Sequence, residues 1–440
     1  MKNTKNNQTT KTKKTNKATK TLKAQQNKQV KKAKKWLISV VCLALVALMG
    51  FVASSLGLDK FASWLNGSSE TPSSETSSNS SPSSLSSSTS SSSASSPESI
   101  YVPDPEVVAK AVDFSRSNEP EELEVFFFQL EHWESQTQVG DSFMIKYGDI
   151  EILIDAGEQA VGTQVVAPYM ESIVRDGVIE LCINTHTDSD HLGGFLGKKV
   201  DGAYTGVFSV PHQIQYFIDS GYKSTTTLYN NYYTELTKRV ESGTKYFTYE
   251  ETMTSDEAPS MFILGPETYL QILDTKIYEN NFAASNNVND YSVCALLVHG
   301  QKKCLFMGDA EKKAEKALID NNILPQVDLF KSNHHGSNTS NSTELLDVIR
   351  PSYVVVDSTA KNKHNIPTKE ILDRLKTYTP EIYTPFINGG IHIYLKKDSN
   401  IIRFNCDGYK QYENNLKGAI KNGTQGAPIR IHDSDWYKSL

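Results

Sequence analysis

Cysteine is scarce in this 440-residue chain, with five in all. None is spaced as a CxxC pair, so neither a disulfide framework nor a zinc-ribbon site is expected. Cys42 lies in an apolar segment, and Cys294 and Cys304 fall on neighbouring predicted strands without standing opposite each other, so free buried thiols are expected. Residues 1–35 lack arginine and acidic residues altogether and carry 13 lysines. The remainder holds 32 basic against 51 acidic residues, a formal charge of −19. An acidic body repels polyanions at long range, which excludes strong non-specific nucleic-acid binding as its main property. No internal repeat is visible.

Charge is also absent from Trp36 to Leu58. As a helix these residues would reach ~34 Å, enough to cross a hydrocarbon core. The lysines before it place the N-terminus in the cytoplasm and all that follows outside, by the positive-inside rule. The other reading is a cleaved signal peptide, with Ala53-Ser54-Ser55 as small residues for cleavage and a secreted product. Residues 68–98 contain 19 serines and too little apolar surface to offset the entropy of ordering, so a flexible tether reaching roughly 30 Å is expected. The expected organisation is a basic cytoplasmic tail (1–35), a transmembrane signal anchor (36–58), a disordered linker (59–99) and one folded domain (100–440).

Within the folded part, Val125–Leu130, Asp141–Tyr147, Ile150–Asp155 and Ile179–Thr185 read as strands, the middle two joined by a Gly-containing hairpin. A helix is expected over Val165–Arg175 and another strand over Gly202–Val210. Residues 211–260 resist assignment. Val293–Val298 and Lys303–Met307 form a hairpin around Gly300. Then follow a helix (Glu311–Asn321), a strand (Val327–Lys331), a helix (Thr343–Ile349), a strand (Tyr353–Asp357), a helix (Thr368–Thr377) and strands at Ile391–Leu395 and Ile401–Asn405. Hairpins early and alternation late predict an α/β (α+β) sandwich of mixed sheets with outer helices.

The chemistry concentrates in Asn184-Thr185-His186-Thr187-Asp188-Ser189-Asp190-His191-Leu192-Gly193-Gly194. Four potential ligands crowd into six residues directly after an apolar strand, a mixed imidazole and carboxylate set that suits Zn²⁺ or Mn²⁺. A polar turn ahead of a helix cap would explain the aspartates but not two histidines in register with them. Asp309 ends a second apolar strand in Gly308-Asp309. It is placed either to bridge two cations or, taken alone, to cap the helix that follows. Ser332-Asn333-His334-His335-Gly336-Ser337 follows a third strand, and one of its histidines could complete a metal shell. Two adjacent cations would lower the pKa of water and polarise a phosphoryl or carbonyl oxygen.

His186-x-Asp188-x-Asp190-His191 resembles the HxHxDH signature of metallo-β-lactamase-fold hydrolases, with Asp188 in place of the second histidine. That replacement is typical of the soluble domain of the DNA-internalisation competence protein ComEC and its stand-alone relatives. Gly140-Asp141-Ser142, Ile152–Gly157, Asn289–Ser292, Gly308–Glu311, His334–Ser337 and His364–Pro367 follow in that branch's order, and the likeness covers roughly 125–405. It implies a four-layer αββα sandwich and two divalent ions, Zn or Mn. His186 and Asp188 would serve one ion and Asp190 and His191 the other, Asp309 would bridge, and His334 or His335 would complete the set. Asp155 would orient the His186 loop. Asp190, Asp309 and His364 are the expected catalytic residues, His364 by touching the scissile phosphate or donating a proton. The wider superfamily's third-motif histidine has only His212 and His299 as weak counterparts, and the polytopic channel of the competence protein is absent.

The expected activity is thus a membrane-anchored extracellular metal-dependent phosphodiesterase or nuclease. Its substrate would be extracellular nucleic acid or a cell-wall polymer, and no protein partner is inferred. The rivals are a teichoic-acid phosphorylcholine esterase, a weaker β-lactamase reading, and a wall- or polymer-binding module with a structural metal. That last reading would use the tyrosines of 222–249 for stacking, against the alternative that they simply pack.

Overall fold

The computed structural model describes residues 110–130, 139–283, 285–399, 402–408, 411–412, 420–421 and 426–440, all within one compact unit, Ser95–Leu440. The expected tail, anchor and linker lie outside the described residues. Among the described residues no helix is long and apolar enough to cross a membrane.

The strands that matter here are β1 (Ala111–Asp113), β2 (Glu122–Phe127), β3 (Phe143–Tyr147), β4 (Ile150–Ile154), β5 (Val178–Asn184), β6 (Lys199–Val200), β7 (Ala203–Tyr204), β8 (Gln213–Asp219), β9 (Lys245–Thr248), β10 (Met261–Gly265), β11 (Thr268–Leu273), β12 (Cys294–His299), β13 (Lys302–Phe306), β14 (Leu329–Lys331), β15 (Tyr353–Val355), β16 (Ile382–Tyr383), β17 (Ile391–Lys396) and β18 (Arg403–Cys406), of which β6 and β7 pair only with each other. Two eight-stranded sheets result. The first runs β18-β17-β2-β3-β4-β5-β8-β9 and the second β1-β10-β11-β12-β13-β14-β15-β16. Both are mixed. β4, β5, β8 and β9 run parallel in the first, as β13 to β16 do in the second.

The sheets pack face to face. Phe127, Phe143, Ile152 and Ile183 of the first share one core with Phe262, Leu297, Phe306 and Val355 of the second. Phe143 and Phe306 meet with ring centroids 4.6 Å apart across the interface. Each such side chain removed from water contributes roughly 1.5–3 kcal/mol. A second apolar layer lies between the first sheet and the helices Ala167–Ile173, Ser189–Leu196 and Thr227–Glu241. A third lies between the second sheet and the helices Lys312–Asp320, Thr343–Ile349 and Lys369–Lys376. Helix, sheet, sheet and helix are therefore stacked in four layers, a mixed α+β sandwich of the type expected.

Local differences have plain causes. Only the two-residue β7 and a 3₁₀ turn (Val207–Ser209) occupy 202–210, where a full strand was expected. The segment 211–260, unassigned from sequence, holds β8, the helix Thr227–Glu241 and β9. In that helix Tyr229 and Tyr232 are buried against the sheet, so these tyrosines are packing residues. The helix expected over Val165–Arg175 begins earlier, at Gln159, and passes through a π turn (Gly162–Val166). The β12–β13 hairpin sets Cys304 opposite Leu297, and the β11–β12 pairing sets Cys294 opposite Leu273. All four described cysteines are free and buried.

Candidate metal centre

Parallel strands place their carboxyl ends on one edge, and loops leaving those ends can converge. β4 leads to Asp155 and β5 to Thr185 and His186, while β13 leads to Asp309, β14 to His334 and His335, and β15 to Asp357. These loops meet where the two sheets face each other.

On the first sheet, Asp155 clamps the turn after β5. Its carboxylate accepts from the Thr185 backbone N–H at 2.7 Å, from Thr185 Oγ1 at 2.7 Å, and pairs with His191 Nδ1 at 2.8 Å. These bonds hold Asp155 in the left-handed region at φ 54°, a conformation that costs an ordinary residue about 1–3 kcal/mol. Asp188 is extended and starts the helix Ser189–Leu196 without a side-chain cap bond, so its carboxylate is left to face His186 Nε2 at 3.7 Å. The helix seats His191 only because Gly194 lies against the backbone of Ala156, where an added Cβ would stand 1.8 Å from the Ala156 carbonyl oxygen.

On the second sheet, Gly308 turns the chain at φ 53°, and a Cβ there would stand 2.7 Å from Thr185 Oγ1. Glycine thus lets Asp309 reach the His186 loop. The Asp309 N–H donates to Ser292 Oγ at 3.2 Å, and Asp309 does not cap the next helix, whose N-cap position is Glu311. The histidine loop is pinned from behind by buried Glu315. It accepts from Asn333 Nδ2 at 2.9 Å and from the backbone N–H groups of Asn341 and Ser342 at 2.6 and 3.0 Å.

At the centre, Asp309 Oδ2 faces four imidazoles. Its distances to Nε2 are 3.2 Å for His335, 3.3 Å for His191, 3.7 Å for His334 and 4.0 Å for His186. Asp190 lies 3.6 Å from His335 Nε2. Three imidazoles have their outer nitrogen occupied. His191 Nδ1 is held by Asp155 and His186 Nδ1 by Thr185 Oγ1 at 3.1 Å, while His335 Nδ1 donates to the Asp357 carbonyl at 3.0 Å. Their Nε2 atoms are buried and have no hydrogen-bond partner. Buried polar atoms are normally satisfied. An imidazole fixed through Nδ1 with a bare Nε2 is how proteins present metal ligands. The residues therefore fit a divalent cation.

The electrostatics agree. Burial alone would raise the Asp309 carboxyl, but His335, His191 and His334 outweigh it and hold it well below the usual range. Asp190, likewise opposed by burial, is brought down to about 2 by His335 and His191. Burial disfavours charge on His191 and His335, yet Asp309 with Asp155 or Asp141 carries both well above the usual imidazole value. The carboxylates draw positive charge into the cluster, and a divalent cation answers the same demand.

Three residues given no role from sequence complete the site. Asp141, His191, Asp309 and His335 each bring a candidate ligand atom within 4.8 Å of the others. Asp141, however, stands behind the imidazoles, 3.2 Å from His335 Nδ1 and 3.9 Å from His191 Nδ1, and is paired with Lys331. It is better placed to orient than to ligate. Lys331 is fully buried, donates to the Gly308 carbonyl at 3.0 Å and lies 3.9 Å from Asp309 Oδ1. Asp357 accepts from the Ser142 N–H at 3.2 Å, and burial beside Asp141 raises its carboxyl well above the usual range. A lysine ending the apolar strand that enters the histidine loop was the available signal for Lys331.

Of the adjacent histidines, buried His335 points inward. His334 sits at the rim, with Nδ1 3.1 Å from Thr339 Oγ1 and 3.3 Å from Glu311 Oε1. His364 is exposed and outside the cluster of candidate ligands; partial burial and Lys363 lower its pKa while Asp190 opposes this. His212 and His299 are not part of the cluster. His212 precedes β8 and His299 ends β12, which runs antiparallel to β13, so both occupy the opposite edge from the centre. His299 is instead bonded to Thr268 Oγ1 at 2.9 Å.

No family model matches the chain. It is 25% identical over 252 residues to recombination protein 2 of Haemophilus influenzae, covering 56% of this chain and 26% of that protein. It is 29% identical over 114 residues to competence protein ComA of Neisseria gonorrhoeae, covering 25% of this chain and 16% of that protein. The chain thus spans about a quarter or less of these relatives' length. Among solved structures it is similar to the metallo-β-lactamase fold protein YhfI of Bacillus subtilis, with 13% identity, a TM-score of 0.36, and 60% of this chain and 95% of that one covered. Human tRNase Z, short form, gives 13% identity and a TM-score of 0.30, covering 53% of this chain and 90% of that one. The four-layer mixed sandwich and its edge cluster of histidines and aspartates fit a metal-dependent hydrolase of metallo-β-lactamase type, and the chain resembles the ComEC-type competence proteins.

Proposed function

We propose that this chain is a metal-dependent phosphodiesterase working outside the cell membrane, to which the apolar run 36–58 anchors it. The carrying observation is the three buried imidazoles of His186, His191 and His335, whose Nε2 atoms converge without partners on Asp309 Oδ2. His186, Asp188, Asp190, His191, Asp309 and His335 would hold two divalent cations, with Asp309 shared. When bound, such a pair lowers the pKa of water and withdraws charge from a phosphoryl oxygen. The carboxylate at position 188 hardens the donor set and admits Mn²⁺ beside Zn²⁺.

The chain's own groups then have distinct tasks. Asp155 and Thr185 keep the His186 and His191 rings in one orientation. Lys331 offsets the charge of Asp141 and, from 3.9 Å, lies on the Oδ1 side of Asp309, leaving Oδ2 toward the imidazoles. His334, at the rim, and His364, exposed, would be the groups that meet the substrate phosphate and the leaving group. A nucleic-acid substrate is favoured over a phosphocholine ester because both curated relatives are named for recombination or competence.

The full chain should hydrolyse bis(p-nitrophenyl) phosphate with Mn²⁺ or Zn²⁺ and lose that activity in chelator. It should cleave single-stranded DNA in preference to a phosphocholine ester. Full activity in chelator would remove the metal mechanism, and the reverse substrate preference would move the chain to the wall-esterase reading.

A further inference from the structure

The loop that carries His364 begins and ends on the residues that frame His335. At its start the Asp357 carbonyl accepts from His335 Nδ1 at 3.0 Å. At its end Pro367 lies against Gly336, where an added Cβ would stand 2.6 Å from Pro367 Cβ. The Thr368 N–H then donates to the Gly336 carbonyl at 3.0 Å. Between these points Asn362 fixes the loop from within. Its Oδ1 accepts from the backbone N–H groups of His364 and Ile366 at 3.1 and 3.2 Å, and its Nδ2 donates to the Thr359 carbonyl at 3.3 Å. Bonds inside a surface loop fix its shape. Its posture on the protein needs a tie to something outside it.

A tie of that kind comes from residues 429–437, which lie beyond the region whose motifs follow the ComEC-type order. The segment has its own footing. Ile431 is fully buried in the apolar layer between the second sheet and its helices. The Ile429 N–H donates to Asn388 Oδ1 at 2.6 Å, Asn388 Nδ2 donates to the Ile429 carbonyl at 3.0 Å, and Arg430 pairs with Glu381. Tyr437, in the short helix Asp435–Lys438, donates to Asp373 and accepts from Lys369 Nζ at 3.0 Å, both on the helix Lys369–Lys376. From this footing Trp436 sets its ring edge-on to Phe386, with centroids 4.8 Å apart, and its Nε1–H donates to the Ala360 carbonyl at 2.9 Å. An indole N–H can only donate, and one packed against apolar surface needs an acceptor. Here the acceptor is the backbone of the His364 loop.

We propose that residues 429–437 are a strap across the loop 358–367, and that Trp436 is the positioning residue through which the strap holds His364 toward substrate. Without the Trp436 bond the loop keeps its shape through Asn362 and tilts between its ends at Asp357 and Pro367. The cations then stay bound while substrate engagement suffers. The part played by His364 rests on the phosphodiesterase reading. The hold of the strap on the loop is independent of it.

The test uses Trp436→Phe in the full chain, which keeps a ring against Phe386 and loses the N–H. Native-state trypsin cleavage after the exposed Lys361 and Lys363, located by mass spectrometry, should quicken about fivefold, as expected for one lost hydrogen bond. Metal content should stay the same, and kcat/KM for bis(p-nitrophenyl) phosphate should fall about three- to tenfold. In a His364→Ala background the same substitution should cost nothing further, because both changes act through one side chain. Trp436→Ala should give a larger change of the same kind. Tyr437→Phe, which removes bonds from the strap to the helix and none to the loop, should leave both readouts within about twofold. Unchanged cleavage at the two lysines in both Trp436 variants overturns the strap. So does cleavage that quickens alike at every site, the mark of a general loss of stability. Faster loop cleavage with unchanged kcat/KM, or a loss that persists in full in the His364→Ala background, overturns the positioning of His364. If the native chain cleaves no diester, the phosphodiesterase reading falls, and the trypsin readout still decides whether Trp436 holds the loop.

Discussion

Among the described residues, two clusters pair histidine with carboxylates, and one of the two is built to take a cation. At the far side of the first sheet, His392 on β17 is stacked on Phe126 at 4.1 Å, with Nδ1 on Glu124 and Nε2 on Asp407 at 3.0 Å. Both ring nitrogens are spent on the protein, and the cluster is a closed ion-pair network. At the centre, His186, His191 and His335 spend only Nδ1 and leave Nε2 buried and bare. The same residue types thus serve stability in one place and a ligand in the other. The difference is which nitrogen is satisfied, not how many acidic neighbours are present.

The largest expected consequence is at Asp309. Asp309→Ala should reduce phosphodiester hydrolysis by about three orders of magnitude or more and lower the bound metal measured by elemental analysis, whereas His392→Gln should leave metal content unchanged. Equal metal content in both variants would erase the distinction between the clusters. Next in size is Lys331→Met. It strands the buried Asp141 carboxylate and should cost about 3–5 kcal/mol in chemical denaturation, more than any exposed lysine substitution. Asp155→Asn keeps the fold but weakens the hold on His191, and should lower metal affinity about 10- to 100-fold by isothermal titration; an unchanged affinity would show that the His191 ring is oriented by packing alone.

The smallest effect sharpens the other member of the comparison. Burial opposes charge on His392, but Asp407 and Glu124 raise its pKa to about 9. Its folded value therefore lies above the unfolded one of about 6.5. The stability it contributes is complete below pH ~6.5 and is lost as pH rises through about 9. Thermal melts compared between the native chain and His392→Gln should differ over that window, the part of the decline that the variant removes being roughly 1–2 kcal/mol.

Much of the architecture was legible because it depends on local pattern. The alternation and apolar runs of β2 to β5, the Gly300 hairpin and the late strand–helix alternation follow from side-chain period and turn residues. The dense motif from His186 to His191 announced a site for the same reason, since its residues are neighbours in sequence. Segment 211–260 was opaque because the helix Thr227–Glu241 carries tyrosines and polar residues on a face whose burial only the sheet defines. Asp141 and Lys331, 190 residues apart, carried no local mark of being partners.

The sequence by itself determined the layered fold class and which residue types would supply the chemistry, because period, turn chemistry and ligand character are properties of short segments. Only the tertiary structure decided that His335 faces the centre while His334 stands at its rim, that His212 and His299 lie at the opposite edge, and that Asp141 and Lys331 back the site. Those outcomes depend on strand direction, loop closure and the pairing of buried charge, which arise when distant segments are brought together.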